Sequence, residues 1–346
     1  MKKIVLLLTT LCVVLVSTAQ STLVATLSHN EQIKVFYGSG AFSAAHDAAE
    51  HGDIITLSGG VFNGFTITKA VTVRGTGIDV ENPTQISGYM WISITDETSD
   101  RFSMEGLLFQ KNSVLTLNGN CADPIFQKCK FYILRIGDGA NISNLQMANC
   151  KVEDAFNSYG SSTAILSHCY INGYEKKNTN GKMQFLNCLI HGNLSLFKSS
   201  SFINCILCGN QNNRSNGGTN LPADAVAMNC VAFNYALLFA DYYYFNTDDS
   251  NPYALMQGSD VDCSTSTYEE LFKTYRGRYS DSESFELSDE AKERFLGTDG
   301  LQVGLYGGQY PFTVTPNYPR ITKMNVAKQS TIDNKLSVEI EVSAAE

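Results

Sequence analysis

Three things are scarce in this chain of 346 residues, and each absence removes a class of function. Basic side chains number 25 against 34 acidic ones, a net charge of −9 with histidine neutral. Nucleic-acid binding needs a basic patch to neutralise phosphates, and none stands out, so no nucleic acid is expected as a partner. Long apolar runs are scarce too. The one from Ile4 to Val16 follows Lys2 and Lys3 and ends in the small-residue site Ser17-Thr18-Ala19, which reads as a secretory signal over residues 1–19, cleaved before Gln20. It is shorter than the roughly 20 apolar residues that span a bilayer, and no comparable run follows, so no transmembrane segment is expected. Loss of Lys2 and Lys3 takes the net charge from −9 to −11, which disfavours loose capture of acidic polysaccharides. The third scarcity is helical periodicity, missing from the segments that separate the repeats.

What the chain does contain is one short strand rewritten about every 20 residues. The copies are Phe126-Gln-Lys-Cys129-Lys-Phe, Met147-Ala-Asn-Cys150-Lys-Val, Leu166-Ser-His-Cys169-Tyr-Ile, Phe185-Leu-Asn-Cys188-Leu-Ile, Phe202-Ile-Asn-Cys205-Ile-Leu and Ala227-Met-Asn-Cys230-Val-Ala. Met104-Glu-Gly106-Leu-Leu-Phe reads as an earlier copy with Gly in the Cys slot. The cysteines recur at spacings of 21, 19, 19, 17 and 25, too short for a unit of two parallel strands and a crossover helix, which takes about 30 residues or more. At least six stacked β-coils remain as the reading, each about 4.8 Å above the last and placing the same side chain in the same column. Cys129, Cys150, Cys169, Cys188, Cys205 and Cys230 form one inward column; Phe131, Val152, Ile171, Ile190, Leu207 and Ala232 form the next. Asn149, Asn187, Asn204 and Asn229 precede four of the cysteines, where Asn tolerates a left-handed bend and its amide can bond to stacked neighbours. Second strands follow as Val114-Leu-Thr-Leu117, Leu134-Arg-Ile136 and Leu194-Ser-Leu196, with Arg135 pointing outward between Leu134 and Ile136.

The fold expected is all-β, a right-handed single-stranded parallel β-helix over residues 20–310. An amphipathic helix from Ala41 to Glu50 is placed as its N-terminal cap, since an open stack must blunt its edges. Residues 311–346 form a C-terminal β tail, in which Thr322, Met324 and Val326 alternate before an Asp333-Asn334 turn and a second run, Leu336, Val338, Ile340 and Val342. That pattern is a β-hairpin. Gly52-Asp-Ile-Ile-Thr-Leu-Ser-Gly-Gly-Val-Phe-Asn-Gly and Ile67-Thr-Lys-Ala-Val-Thr-Val-Arg-Gly-Thr-Gly77 resemble the opening of pectin-lyase-like right-handed β-helix proteins. Ser284-Phe-Glu-Leu287 with Gly297 to Gly308 resembles the closing turn of bacterial secreted β-helix proteins. With the central repeats the resemblance covers roughly residues 38 to 310, and it is specific for fold only. Asn246-Thr247-Asp248 resembles the first acidic motif of polygalacturonase-like hydrolases, but neither the following Asp pair in a strand context, nor a Gly-His-Gly, nor the later Arg-Ile-Lys accompanies it. The paired glutamine and aspartate motifs of pectin methylesterases and the Arg-Pro-containing motif of pectate lyases are absent as well.

Nine cysteines remain after cleavage. Side chains in a parallel column keep their Cβ atoms about 4.8 Å apart, beyond the roughly 3.8 Å of a disulfide, so buried free thiols are expected, with Cys121 and Cys208 least constrained. A single-file column does not converge four ligands on a point, and no metal is expected there.

Two regions offer chemistry. Two positions after the Asn slot, the outward column reads Lys130, Lys151, Tyr170, Leu189, Ile206 and Val231, with Tyr132, Glu153, Asn172 and His191 two residues further on. Lys130, Lys151, Glu153, Tyr132 and Tyr170 can bind sugars together and, in a lyase, supply a base for proton abstraction; the alternative is an ordinary solvated face. The apolar later members of the column call for a cover, a loop or the C-terminal tail. The second region is Phe239 to Tyr253, which interrupts the repeat before a possible last copy at Val261-Asp-Cys263. There Tyr242, Tyr243 and Tyr244 can form an aromatic platform for a glycan, and Asp241, Asp248 and Asp249 offer oxygen ligands to Ca²⁺. Its alternative is tyrosines packed on the rod and acids in solvent. The expectation is an exported, noncatalytic protein, secreted or at a bacterial cell surface, binding an extracellular glycan or another surface component. A polysaccharide lyase and a structural or adhesive spacer are the other readings.

Overall fold

The computed structural model describes residues 23–94, 101–176, 181–192, 199–209, 225–232, 261–262, 267–277, 279–326 and 338–343. Residues 1–19, expected as a signal, together with Leu194 to Leu196, the tyrosine-rich stretch Phe239 to Tyr253 and Cys263, lie outside them. The chain is a parallel β-solenoid. An eleven-stranded sheet forms the first face of the coils, and a fourteen-stranded sheet wraps the second and third. Strands Lys130–Ile136 and Lys151–Ser158 run through both of the latter faces, bending at a register shift between Phe131 and Ile133.

Pairing follows the repeat residue by residue. Lys130 stands opposite Lys151, Lys151 opposite Tyr170, Tyr170 opposite Leu189, Leu189 opposite Ile206 and Ile206 opposite Val231. The inward column from Phe131 to Ala232 is in the same register, and its phenylalanine, valine, isoleucine and leucine members are fully buried. Arg135 faces outward between Leu134 and Ile136, both 0% exposed.

The bend between the first and second faces explains the residue before each cysteine. Lys128, Asn149, His168, Asn187, Asn204 and Asn229 all have φ between 46° and 55°, the left-handed region that Asn tolerates best among residues with a Cβ. Pairing of Met104 with Phe126, Glu105 with Gln127 and Leu108 with Lys130 corrects the reading of the earlier copy. Gly106 (φ 72°) occupies the left-handed slot, and Leu107, fully buried, takes the position of cysteine. Glycine was selected by the bend, not by the core.

All eight described cysteines are buried and free. The thiols do more than fill space. The Cys169 N–H donates to Cys188 Sγ, that of Cys188 to Cys205 Sγ and that of Cys205 to Cys230 Sγ, each at 3.4 Å. In turn, Cys188 Sγ lies 3.3 Å from both Leu166 O and Leu186 O, to either of which it can donate. At the bend the backbone ladder is interrupted, and sulfur, apolar enough for a dry core, satisfies the stranded amide. Burial pushes the Cys129, Cys169 and Cys205 thiols well above their ordinary range, so they stay protonated.

At the N-terminal end, helix Ala41–Ala48 buries Phe42, Ala45 and His46, with Phe42 edge-on to Phe62 and Phe65 at 6.2 and 4.8 Å. Lys69 Nζ donates to the carbonyls of His46, Asp47 and Ala49, neutralising the helix C-terminus. An antiparallel pair, Val24–His29 with Gln32–Tyr37, adds to the edge of the first sheet. Val261–Asp262 extends the second face, with Val261 rather than Cys263 opposite Cys230. Arg320–Val326 and Val338–Ser343 form the expected antiparallel hairpin.

The largest departure from expectation is the path of residues 296–318. They do not simply close the last coil but run back along the column of left-handed bends, a return segment held rung by rung. Asn229 Nδ2 donates to Leu296 O at 3.4 Å, and Asn204 Oδ1 accepts from the Thr298 N–H at 2.9 Å. Further along, His168 Nε2 lies 3.1 Å from Gly307 O, and Asn149 Oδ1 accepts from the Thr313 N–H at 3.2 Å. Lys128 donates to Thr315 O and Asn317 Oδ1, and Glu105 accepts from the Asn317 N–H at 2.7 Å. The expected ladder of Asn amides bonded to stacked neighbours is therefore corrected: among the described bonds of the residues that precede the cysteines, only Asn187 with His168 (3.1 Å) joins adjacent rungs, because a second backbone competes for the others. Gly304 shows how closely that backbone lies. A Cβ there would stand 2.4 Å from Ile206 Cδ1.

Candidate functional site

Residues 267–314 cover the apolar part of the outward column. Tyr170, Leu189, Ile206, Cys208 and Val231 join Tyr268, Leu271, Phe272, Tyr275, Phe285, Leu287 and Phe312 in a second core, separate from that inside the coils. Cys208 is fully buried beneath this cover, and burial pushes its thiol up. Tyr170 is 0% exposed, stacked on Phe285 at 4.6 Å and edge-on to Tyr275 at 6.4 Å. It points outward from its coil, as the alternation requires, yet cannot meet a ligand. The reading of Tyr170 as part of an accessible sugar-binding or lyase face is corrected by this packing.

The two lysines part company. On adjacent rungs their Cβ atoms are about 4.8 Å apart, and two like charges so placed repel. Lys130, 7% exposed, resolves this by pairing with Glu153 Oε2 at 3.0 Å and with Asp281 of the covering segment, its Nζ also 5.2 Å from the Tyr279 ring centre. It is a tether. Burial opposes ionisation of Asp281, but the hydrogen bond and charge of Lys130 outweigh it and hold that carboxyl below its ordinary value. Tyr279 O–H donates to Asp281 at 3.1 Å and completes the clasp.

Lys151 makes no ion pair or hydrogen bond through its amine among the described residues. Its Nζ lies between two aromatic faces, 5.6 Å from Phe285 and 5.7 Å from Phe312. Burial, first, and the neighbouring charge of Lys130 lower its amine below the ordinary value, against the opposing pull of Asp79, Asp281 and Glu283. It borders a cleft of about 550 Å³ between the coils and the covering segment. Tyr279, Tyr306 and Phe312 give the cleft apolar walls; Asp79, Ser282 and Thr313 give it polar edges. Of the five residues expected on this face, Lys151, Glu153 and Tyr132 are half-buried and retain access to solvent, whereas Lys130 and Tyr170 are buried. Burial, first, and the neighbouring charges of Asp154 and Glu153 raise the phenol of Tyr132 above its ordinary value. Among the described residues no three His, Cys, Asp or Glu side chains converge to hold a metal, and no helix is long and apolar enough to cross a membrane.

No family model, curated protein or solved structure matches this chain. Tyr242, Tyr243, Tyr244, Asp241, Asp248 and Asp249 lie outside the described residues, so the platform and Ca²⁺ readings have no geometry to report. One feature escaped the sequence reading although its signal was present. In Tyr89-Met90-Trp91-Ile92 the alternate residues Met90 and Ile92 are fully buried, which leaves Tyr89 and Trp91 exposed on the third face. Alternation alone could have found them.

Proposed function

We propose that this protein is an exported, noncatalytic β-solenoid of pectin-lyase-like type that binds an extracellular glycan in the Lys151 cleft, at the bacterial surface or beyond it. The observation that carries the reading is the amine of Lys151, which has no ion pair or hydrogen bond among the described residues and stands at the edge of a cleft of about 550 Å³ with aromatic walls and hydroxyl-bearing edges. Apolar walls with a few convergent polar groups are what a small-molecule or sugar site requires. Lys130 and Tyr170, which a lyase would need at hand, are engaged in holding the covering segment. The lysine itself favours one second reading: an amine of lowered basicity in a cleft suits a base that abstracts a proton from a sugar acid.

One screen separates the two. The purified protein is mixed with acidic and neutral oligosaccharides while binding heat and the absorbance of unsaturated products are followed together. Binding without product, weakened about tenfold or more by Lys151→Met, supports the noncatalytic reading. Product formation that Lys151→Met abolishes establishes the lyase instead. Binding that disappears when Phe239 to Tyr253 are removed, and persists in Lys151→Met, moves the site to that segment.

A further inference from the structure

Tyr89 and Trp91 lie on a different face from the cleft and take no part in either core. They are 56% and 38% exposed, with ring centres 5.9 Å apart and planes within 16° of parallel. A strand that alternates in this way fixes both rings on one side, and the backbone beneath them is held on each flank. The Trp91 N–H donates to Phe65 O at 3.1 Å, and Gly88 O accepts from the Val114 N–H at 3.1 Å. Register places Thr66, exposed, on the rung beside Trp91, with Thr116 and then Arg135 on the rungs beyond it. The Arg135 guanidinium lies over Tyr159 at 5.6 Å, with its Nε buried and without a hydrogen-bond partner among the described residues.

We propose that Tyr89 and Trp91 form a stacking platform for the apolar faces of pyranose rings in a neutral polysaccharide, a second binding site on the third face. The size of the patch selects the occupant. A fully buried aromatic side chain covers about 150–250 Å², so two partly exposed rings offer on the order of 200 Å² of apolar surface. A stable protein interface needs about 800 Å² from each partner. A run of sugar rings needs only a flat strip, because each ring has a C–H face to lay on an aromatic plane and hydroxyls at its edge. Thr66, exposed on the rung beside Trp91, is placed to meet such hydroxyls. The proposal extends the carbohydrate reading to a polymer but does not depend on the Lys151 cleft.

Trp91 is the only tryptophan in the sequence, so tryptophan emission reports on this platform alone. The whole mature protein is titrated with cellohexaose, xylohexaose and chitohexaose and is tested for retention on insoluble cellulose, xylan and chitin. A saturable change in emission with at least one of these, matched by retention on the corresponding polymer, is the expected result. Trp91→Ala weakens retention at least about tenfold, the loss typical of an aromatic anchor, and Tyr89→Ala weakens it less. Retention lost in Lys151→Met but kept in Trp91→Ala belongs to the cleft and overturns the proposal, which keeps the two sites' tests separate. Retention that survives Trp91→Ala overturns the proposal. So does the absence of any emission change and retention across all six probes, or an emission shift that follows protein concentration alone, the mark of a second copy covering the pair. Should Trp91→Ala fail to fold, the titration of the unaltered protein decides.

Discussion

Replacing Cys188 tests whether sulfur is in the column for its bonding or only for its size. The residue is 0% exposed, its Sγ accepts the Cys169 N–H, and it lies within 3.3 Å of the Leu166 and Leu186 carbonyls. Cys188→Ala deletes one buried group, about 1 kcal/mol of transfer and packing, and strands the Cys169 N–H, about 1–3 kcal/mol. The total is about 2–4 kcal/mol. Cys188→Val restores the volume but strands the same amide and adds a methyl group to a close-packed coil, about 1–3 kcal/mol for each effect. Cys188→Ser keeps a donor and an acceptor in place, so it should retain more stability than either. The assay is equilibrium urea unfolding followed by far-ultraviolet circular dichroism, comparing the extrapolated free energies of the four proteins. The expected order is Cys, then Ser, then Ala and Val. A valine variant as stable as the parent, with serine the weakest of the set, would refute the bonding role and leave an ordinary apolar column.

Two further predictions concern the covering segments. Gly304 (φ 80°) sits in the left-handed region that strains a β-branched residue, and its Cβ would press on Ile206 Cδ1 at 2.4 Å, so Gly304→Val should loosen the return segment and expose residues 296–318 to limited proteolysis well before the coils are cut; equal resistance in parent and variant would contradict the close approach. Asp281 has a folded-state pKa below its unfolded value, so its contribution to stability is present above the ordinary carboxylate range and is lost as pH falls through the folded value. Melting temperature measured against pH should therefore fall less steeply on the acid side in Asp281→Asn than in the parent.

Much of the solenoid could be read from the chain because its determinants are local and repeated. Cysteine at a fixed offset, a bend-tolerant residue before it and a branched or aromatic residue two places later specify one coil, and stacking of identical coils makes each column visible six times over. The misreading of Gly106 shows the limit of this method. A copy without cysteine can be slid by one residue until pairing with Gln127 and Lys130 fixes its register.

What the sequence by itself determined is the β-coil, its columns, the free thiols and the outward direction of Lys130, Lys151, Tyr170 and Arg135, all consequences of a two-residue alternation. Which of those outward side chains meet solvent was decided only by tertiary structure. The segments that cover Tyr170, clasp Lys130 and leave Lys151 at a cleft come from about 100 residues or more further along the chain, and no local pattern ties Asp281 to Lys130 or Thr313 to Asn149. The same holds for the asparagines. Their left-handed bend is a property of the residue, but the partner of each amide is the backbone that happens to pass, and only the folded chain brings that backbone there.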